Sequence, residues 1–233
     1  MDATTIILGI VLIILLYILY KYLTTDKALL QEYVHLMQDD LKPITDLEKP
    51  KTPRYAYGFW IYVNTWDSSQ DKIIFIREGN MSCYLDSNTA SLSLRIMTGT
   101  SAAGGTSQVI QMSDNFPMQK WVHCIISVDN EYVDCYLDGK LIRSARVYSP
   151  GDGSTPALIP SIPPDNSVPV NLGGNSFDAY VSKFKRWLYP INPQTAYDEY
   201  MKGNGQSSFG LPSYGLDLTV LKDNEVYKEL SVF

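Results

Sequence analysis

One strand-like run is rich in carboxylates: Glu131-Tyr-Val-Asp134-Cys-Tyr-Leu-Asp138. Paired carboxylates are what glycoside hydrolysis requires, one as acid and one as nucleophile or base, flanking a single bond. Side chains alternate faces along a strand, so Glu131 and Asp134, three apart, point opposite ways. Asp134 and Asp138 share a face, but Tyr136 stands between them and Asp138 belongs to an Asp-Gly turn. The hydrolase pattern is missing. His35 and His123 are the two histidines, and neither sits in a nucleophile motif where it would serve as base. Both are expected to be structural. Gly104-Gly105 and Gly173-Gly174 lack the lysine and helix context of a phosphate-cradling loop. No catalytic residue is assigned, and the chain is not expected to be an enzyme.

Loop oxygens offer another chemistry. Asp86, Asn88, Asp152, Asp165 and Asn175 could rim a sugar or calcium site. None forms a dense ligand run of the D-x-D-x-D-G kind, and scattered loop Asp and Asn more often serve turns. No metal site and no cofactor is expected. Cys83, Cys124 and Cys135 are odd in number and lack C-x-x-C spacing, which argues against a disulfide framework or zinc. If Asp129-Asn130 forms a two-residue turn, Cys124 faces Cys135, and a pair of reduced, buried thiols is the simpler reading than a disulfide. Asn80-Met-Ser82 is a formal glycosylation sequon, relevant only if the body is lumenal.

The elements that would position these groups are readable along the chain. From Ala3 to Tyr20 there is no charged residue, about 27 Å of helix at 1.5 Å per residue. Ile6, Ile7, Leu8, Val11, Leu12, Ile13, Ile14, Leu15, Leu16, Tyr17, Ile18, Leu19 and Tyr20 would face lipid, and residues 1–23 are expected to be an uncleaved transmembrane anchor. No basic leader precedes the run and no small-residue cleavage site follows it, unlike a signal peptide. Lys21 and Lys27 follow the span, so the positive-inside rule places the body on the cytoplasmic side. Over residues 24–42, Leu29, Leu30, Tyr33, Val34, Met37 and Leu41 recur at helical spacing. They predict a short amphipathic helix that packs on the body, on a neighbouring subunit or at the membrane surface. Residues 43–53 hold Pro43, Pro50 and Pro53 among alternating charges and predict an extended linker.

The remaining 54–233 predicts an all-β head. Aromatic and β-branched runs arrive every 8–15 residues between turn signals, the pattern of a sandwich. Residues 150–170 hold six of the thirteen prolines, so they predict a long surface loop with polyproline character. Loops of that length are usually functional, and Pro150, Pro156, Ile159, Pro160, Ile162, Pro163 and Pro164 are candidates for docking a partner protein. Asn192 as cap, Pro193 in the first turn and Gly203 as stop predict one helix. The tail after 212 predicts one or two further strands. A net charge of -6 on 233 residues argues against nucleic acid, whose phosphates need a basic stripe.

Trp121-Val-His123 with Val133-Asp-Cys-Tyr-Leu-Asp-Gly-Lys-Leu141 resembles the central hairpin of the concanavalin A-like, laminin-G-like and pentraxin-like jelly-roll superfamily. Tyr57-Gly-Phe-Trp-Ile-Tyr-Val63, Asn171-Leu-Gly-Gly174, Ala179-Tyr-Val-Ser-Lys-Phe184 and the helix ending at Gly203 follow in the same order. The resemblance spans about Arg54 to Gly203. Asn115-Phe-Pro-Met-Gln-Lys-Trp-Val-His123 and Tyr200-Met-Lys-Gly-Asn-Gly205 are similar to lectin-like virion proteins of nucleocytoplasmic large DNA viruses. That likeness implies a minor capsid or membrane protein tethering a virion's internal membrane to its capsid, with the lipid bilayer and capsid or coat proteins as partners. A membrane-anchored lectin that binds glycans, with or without calcium, is the alternative.

Overall fold

Apolar and aromatic runs bounded by Asn, Asp, Gly and Ser become strands because branched and ring side chains pack on a pleated surface while the punctuating residues accept turn geometry. In the computed structural model these strands form two antiparallel sheets stacked face to face, an all-β sandwich. The structure describes residues 3–24, 26–37, 41–45, 47–66, 69–99, 106–148, 158–163, 165–174, 177–205, 217–222 and 225–231.

Helix α1 (Ala3–Thr24) comes first, then β1 (Leu29–His35), β2 (Arg54–Val63), β3 (Lys72–Arg77), β4 (Met81–Leu85) and β5 (Leu92–Met97). There follow β6 (Ser107–Ser113), β7 (Trp121–Asp129), β8 (Tyr132–Leu137), β9 (Lys140–Arg146), β10 (Asn171–Leu172) and β11 (Ala179–Trp187). Helix α2 (Pro193–Met201) precedes a final hairpin, β12 (Asp217–Lys222) and β13 (Glu225–Ser231). One sheet has the order β1-β11-β2-β7-β8-β9 and the other β10-β3-β4-β5-β6, while β12 and β13 pair with each other in a separate two-stranded sheet.

The core lies between the sheets. Phe75 of the five-stranded sheet meets Tyr57, Phe59 and Phe184 of the six-stranded one, with ring centroids 5.2, 5.8 and 5.3 Å apart. Cys83, Cys124 and Cys135 are free, buried thiols in the same core, and burial pushes the Cys135 thiol up to about 12. They act as small hydrophobes. The β7–β8 pairing is Ile126↔Cys135 and Cys124↔Leu137, two residues from the register expected of an Asp129-Asn130 turn. Asn130 takes the left-handed φ of 54°, and strand pairing continues through Asp129↔Tyr132. A shift of two preserves faces, so the expected apolar face is intact while Cys124 and Cys135 are diagonal neighbours.

The short amphipathic helix expected within 24–42 is corrected: Leu29–His35 is strand β1, paired with β11 from Leu29↔Lys185 to His35↔Tyr180. Its apolar residues satisfy either period. Leu30 and Val34 pack on the core and Leu36 is 1% exposed, and the strand supplies partners to a β11 edge that would otherwise present unpaired N–H and C=O groups. Tertiary pairing outweighs helical spacing. The linker expected at 43–53 is likewise packed. Ile44 exchanges backbone hydrogen bonds with Val170 at 2.9 and 3.0 Å, and Leu47 is buried.

In α1 the large apolar side chains are exposed from Ile7 to Tyr20, a stretch of roughly 21 Å. Among the described residues no helix is long and apolar enough to cross a membrane.

Candidate functional site

Two carboxylates of the β8 region, Glu131 and Asp138, are occupied structurally. Glu131 pairs with Arg146 at 3.0 Å, and Asp138 accepts the His123 N–H at 2.9 Å. Asp138 and Gly139 both have positive φ, 46° and 73°, which is what a two-residue hairpin turn between β8 and β9 requires.

The rim candidates do not converge. Asp86 Oδ1 accepts the N–H groups of Asn88 and Thr89 at 2.9 and 3.1 Å, and Asn88 donates to the Ser87 hydroxyl. Asp165 Oδ1 accepts the Ser167 N–H at 2.7 Å. Hydrogen bonds from those turns hold both carboxyls below their ordinary range. These are Asx turns, each shaping its own loop. Asp152 and Asn175 lie outside the described residues. Among the described residues no group of three or more His, Cys, Asp or Glu could hold a metal ion.

The proline-rich segment is a cover where it is described. Pro160 and Pro163 are buried, Ile159 is half-buried and Ile162 packs on the core. Ser161 ties it down: its N–H donates to Met97 at 2.8 Å, its hydroxyl to Gly79 at 2.7 Å, and its carbonyl accepts from Tyr55 and Asn80 at 2.8 and 2.9 Å. The expected docking surface is therefore turned inward at these residues. Pro150, Pro156 and Pro164 lie outside the described residues. Asn80, head of the sequon, is fully buried with its amide nitrogen donating to Tyr55 and Ser161, so the folded head offers no acceptor there.

Residues of richer chemistry gather on the outer face of the six-stranded sheet. Helix α2 lies over part of it, capped by Asn192, whose Oδ1 accepts the Thr195 N–H at 2.8 Å. Its placement is fixed from below, where the Ser127 hydroxyl accepts the Ile191 N–H at 2.8 Å. Lys185 of β11 pairs with Glu199 of α2 at 2.7 Å and with Asp26 at 2.5 Å. Burial alone would raise the Glu199 carboxyl, but its bonds to Lys185 and Lys202 outweigh that and hold it low. Under α2, Trp60 stacks on Tyr200 at 5.5 Å and lies 4.9 Å from His123. His123 is 5% exposed, and burial pulls its pKa down to about 4. Its Nδ1 has no hydrogen-bond partner among the described residues. A buried imidazole held neutral near pH 7 is the result, and its open Nδ1 departs from the satisfied histidine expected from sequence.

Beside α2 the same face carries a row of rings in direct register. His35 pairs with Tyr180, Tyr180 with Tyr62 and Tyr62 with Trp121, across β1, β11, β2 and β7. Ring centroids are 4.3, 6.4 and 5.7 Å apart along the row, and Tyr33 stacks on Tyr180 at 5.8 Å. The four rings of the row are half-buried and Tyr33 is exposed. Asp178 fixes one end: Oδ1 meets His35 Nε2 at 3.0 Å, and Oδ2 accepts from Asn64 at 2.7 Å and Thr65 at 3.0 Å. Burial works to raise the Asp178 carboxyl, but these bonds hold it below the usual range. Trp121 was visible on the polar face of its hairpin. The row was not, because it rests on β1 being a strand and on pairings far apart in sequence.

The family model described as the concanavalin A-like lectin/glucanases superfamily matches residues 38–196. No curated protein matches the sequence. The binding domain of Paraclostridial Mosquitocidal Protein 1 is a similar solved structure, with 12% identity, a TM-score of 0.51, 72% of this chain covered and 42% of that one. The botulinum neurotoxin serotype D ligand binding domain, solved with N-acetylneuraminic acid, shows 12% identity and a TM-score of 0.47 over 66% of this chain and 38% of that one. The chain thus spans about two fifths of the length of these structures, and at such identity the likeness concerns the fold alone.

Proposed function

The chain belongs to the concanavalin A-like lectin/glucanases superfamily, and from that premise we propose that it is a non-enzymatic, single-pass membrane protein whose jelly-roll head makes binding contacts beyond the bilayer. The observation that carries this reading is α1. From Ile7 to Tyr20 its large apolar side chains are exposed, from 46% at Val11 to 72% at Leu8, and a helix apolar all round needs an apolar surrounding. The uncharged run of the sequence from Ala3 to Tyr20 would make about 27 Å of helix, close to a hydrocarbon core of ~30 Å. Lys21 and Lys27 follow the apolar run and favour a cytoplasmic head.

The likeness to lectin-like virion proteins of nucleocytoplasmic large DNA viruses supplies the setting: an internal membrane tethered to a capsid, with a coat protein as partner of the head. An anchored head meets such a layer at high effective concentration, so modest contacts suffice. Carbonate extraction of native membranes tests the anchor, since an integral protein stays in the pellet and release of the intact chain would reject it. Cross-linking mass spectrometry from Lys120, Lys140 and Lys183 on the intact membrane or particle tests the tether. Cross-links to an abundant coat protein support it; cross-links confined to the chain itself count against it.

A membrane-anchored lectin is the second reading, and the ring row His35–Tyr180–Tyr62–Trp121 favours it. Calcium is not part of that reading, because Asp86 and Asp165 are held within their own turns.

A further inference from the structure

We propose that Arg77 and Arg186, buried side chains at the ends of β3 and β11, form a binding site for a small monovalent anion of halide size. The site is independent of the anchor and of any partner of the head. Arg77 is 1% exposed and Arg186 9%. Both meet the Tyr57 phenol. Arg186 is the direct cross-strand partner of Tyr57 and its side chain bonds to that hydroxyl, while Arg77 Nη1 donates to it at 3.2 Å.

Every other acceptor they hold is neutral. Arg77 Nε donates to the Val168 carbonyl at 3.1 Å and Nη2 to the Leu47 carbonyl at 3.4 Å. Arg186 Nη2 donates to the Glu48 carbonyl. Among the described residues neither guanidinium forms an ion pair with a carboxylate, and Arg186 Nε is a buried donor without a hydrogen-bond partner. A buried charge is tolerated when it is paired, and a guanidinium cannot shed its proton to escape the cost. Burial works against the Arg186 charge, and the like charge of Arg77 adds to that. The residue before it shows the ordinary solution: Lys185 holds both Glu199 and Asp26. The exposed Glu48 carboxylate acts on Arg186 only through space. A counter-ion from solution supplies what the pair lacks.

The donors select its size. A carboxylate asks for two parallel N–H groups, and Arg186 Nη2 is already committed to Glu48. A phosphate brings four oxygens, most of which would go unpaired at one open N–H. A monoatomic ion needs the fewest donors and the least room in a close-packed interior. Such an ion would also fasten two segments. Leu47 and Glu48 lie on one and Val168 on the other, and Ile44 pairs with Val170 between them. Neutralising the guanidiniums that grip those carbonyls stabilises the folded head.

The test follows the thermal midpoint of the full chain in detergent micelles at fixed ionic strength, as sodium chloride replaces sodium gluconate, whose anion is too bulky to enter. The midpoint is expected to rise and level off, by about 5 °C at a hundredfold excess over the dissociation constant, and bromide should act alike. The chlorine NMR line should be broadened by the chain and narrowed again by bromide. Arg186→Met and Arg77→Met, which keep bulk without charge, should each abolish both responses. Glu48→Gln, which removes a like charge beside the ion, should lower the chloride needed for half the rise. A midpoint indifferent to chloride or an unbroadened line overturns the proposal, and both are read on the unaltered chain, so the folding of a variant does not decide them. A chloride response that survives Arg186→Met also overturns it. So does a chloride-indifferent midpoint that falls in Glu48→Gln or in Asp46→Asn (Asp46 lies outside the described residues), because the chain's own carboxylate would then be the counter-ion.

Discussion

His123 shows what burial does to a titratable group that no partner compensates. Its imidazole lies against Trp60 and 6.2 Å from Tyr200, and burial pulls the pKa to about 4 from an unfolded value near 6.5. Between those values the unfolded chain accepts a proton that the folded chain refuses. Stability is therefore whole above about pH 6.5 and declines as pH falls toward 4, by about 3 kcal/mol at most. Urea denaturation at pH 7, 5.5 and 4.5 should show the decline, and His123→Gln should flatten it over that window. Asp26, Asp178 and Glu199 have carboxyls held below their ordinary values, so their contributions are present above about pH 4 and disappear only at lower pH. A second residue is set by contact. A Cβ on Gly58 would lie 2.8 Å from the Trp187 ring and 3.1 Å from Ile125. Gly58→Ala forces that ring to move and should cost about 1–3 kcal/mol, read as a lower urea midpoint with an unchanged slope.

At the scale of elements, β1 closes the six-stranded sheet and carries Tyr33 and His35, which stack on Tyr180 of β11. Its grip on the core is Leu36, 1% exposed, whose N–H also donates to Ala179 at 2.8 Å. Leu36→Ala should destabilise the head by about 2–5 kcal/mol and speed amide exchange along β11, because loosening β1 exposes that edge. Most of the strands from β2 to β11 and helix α2 were legible because alternation, turn residues and the Asn192-Pro193 cap are local signals. β1 was not. Leu30 and Val34 suit a helix stripe as well as a strand, and only the distant β11 decides between them. For the same reason the rings at His35, Tyr180, Tyr62 and Trp121 read as scattered aromatics until the pairing aligns them. The proline-rich loop misled in the opposite sense. Proline signals that a segment cannot join a ladder, but it does not say whether that segment faces solvent, and Pro160 and Pro163 are buried with Ser161 stitched to the sandwich. Asp86 and Asp165 behaved as turn chemistry, the plainer of the two readings their positions allowed.

For the whole molecule, the division of labour between α1 and the head makes a prediction about solubility. The head closes its own core: among the described residues the buried cluster runs from Leu36 to Phe184 and takes nothing from α1. The charge link that begins the head, Asp26 to Lys185, also lies beyond the helix. Removing residues 1–24 should therefore leave a sandwich that melts within about 2 °C of the full chain in micelles, since the described buried cluster loses no member. The shortened chain should stay monodisperse without detergent, whereas the full chain, exposing the apolar surface of α1, should aggregate. In cells the shortened chain should move from the membrane pellet to the soluble fraction. If it remained in the pellet, the head itself would be holding the membrane, and its exposed Leu141, Ile142, Leu188 and Tyr189 would be the surface to change next.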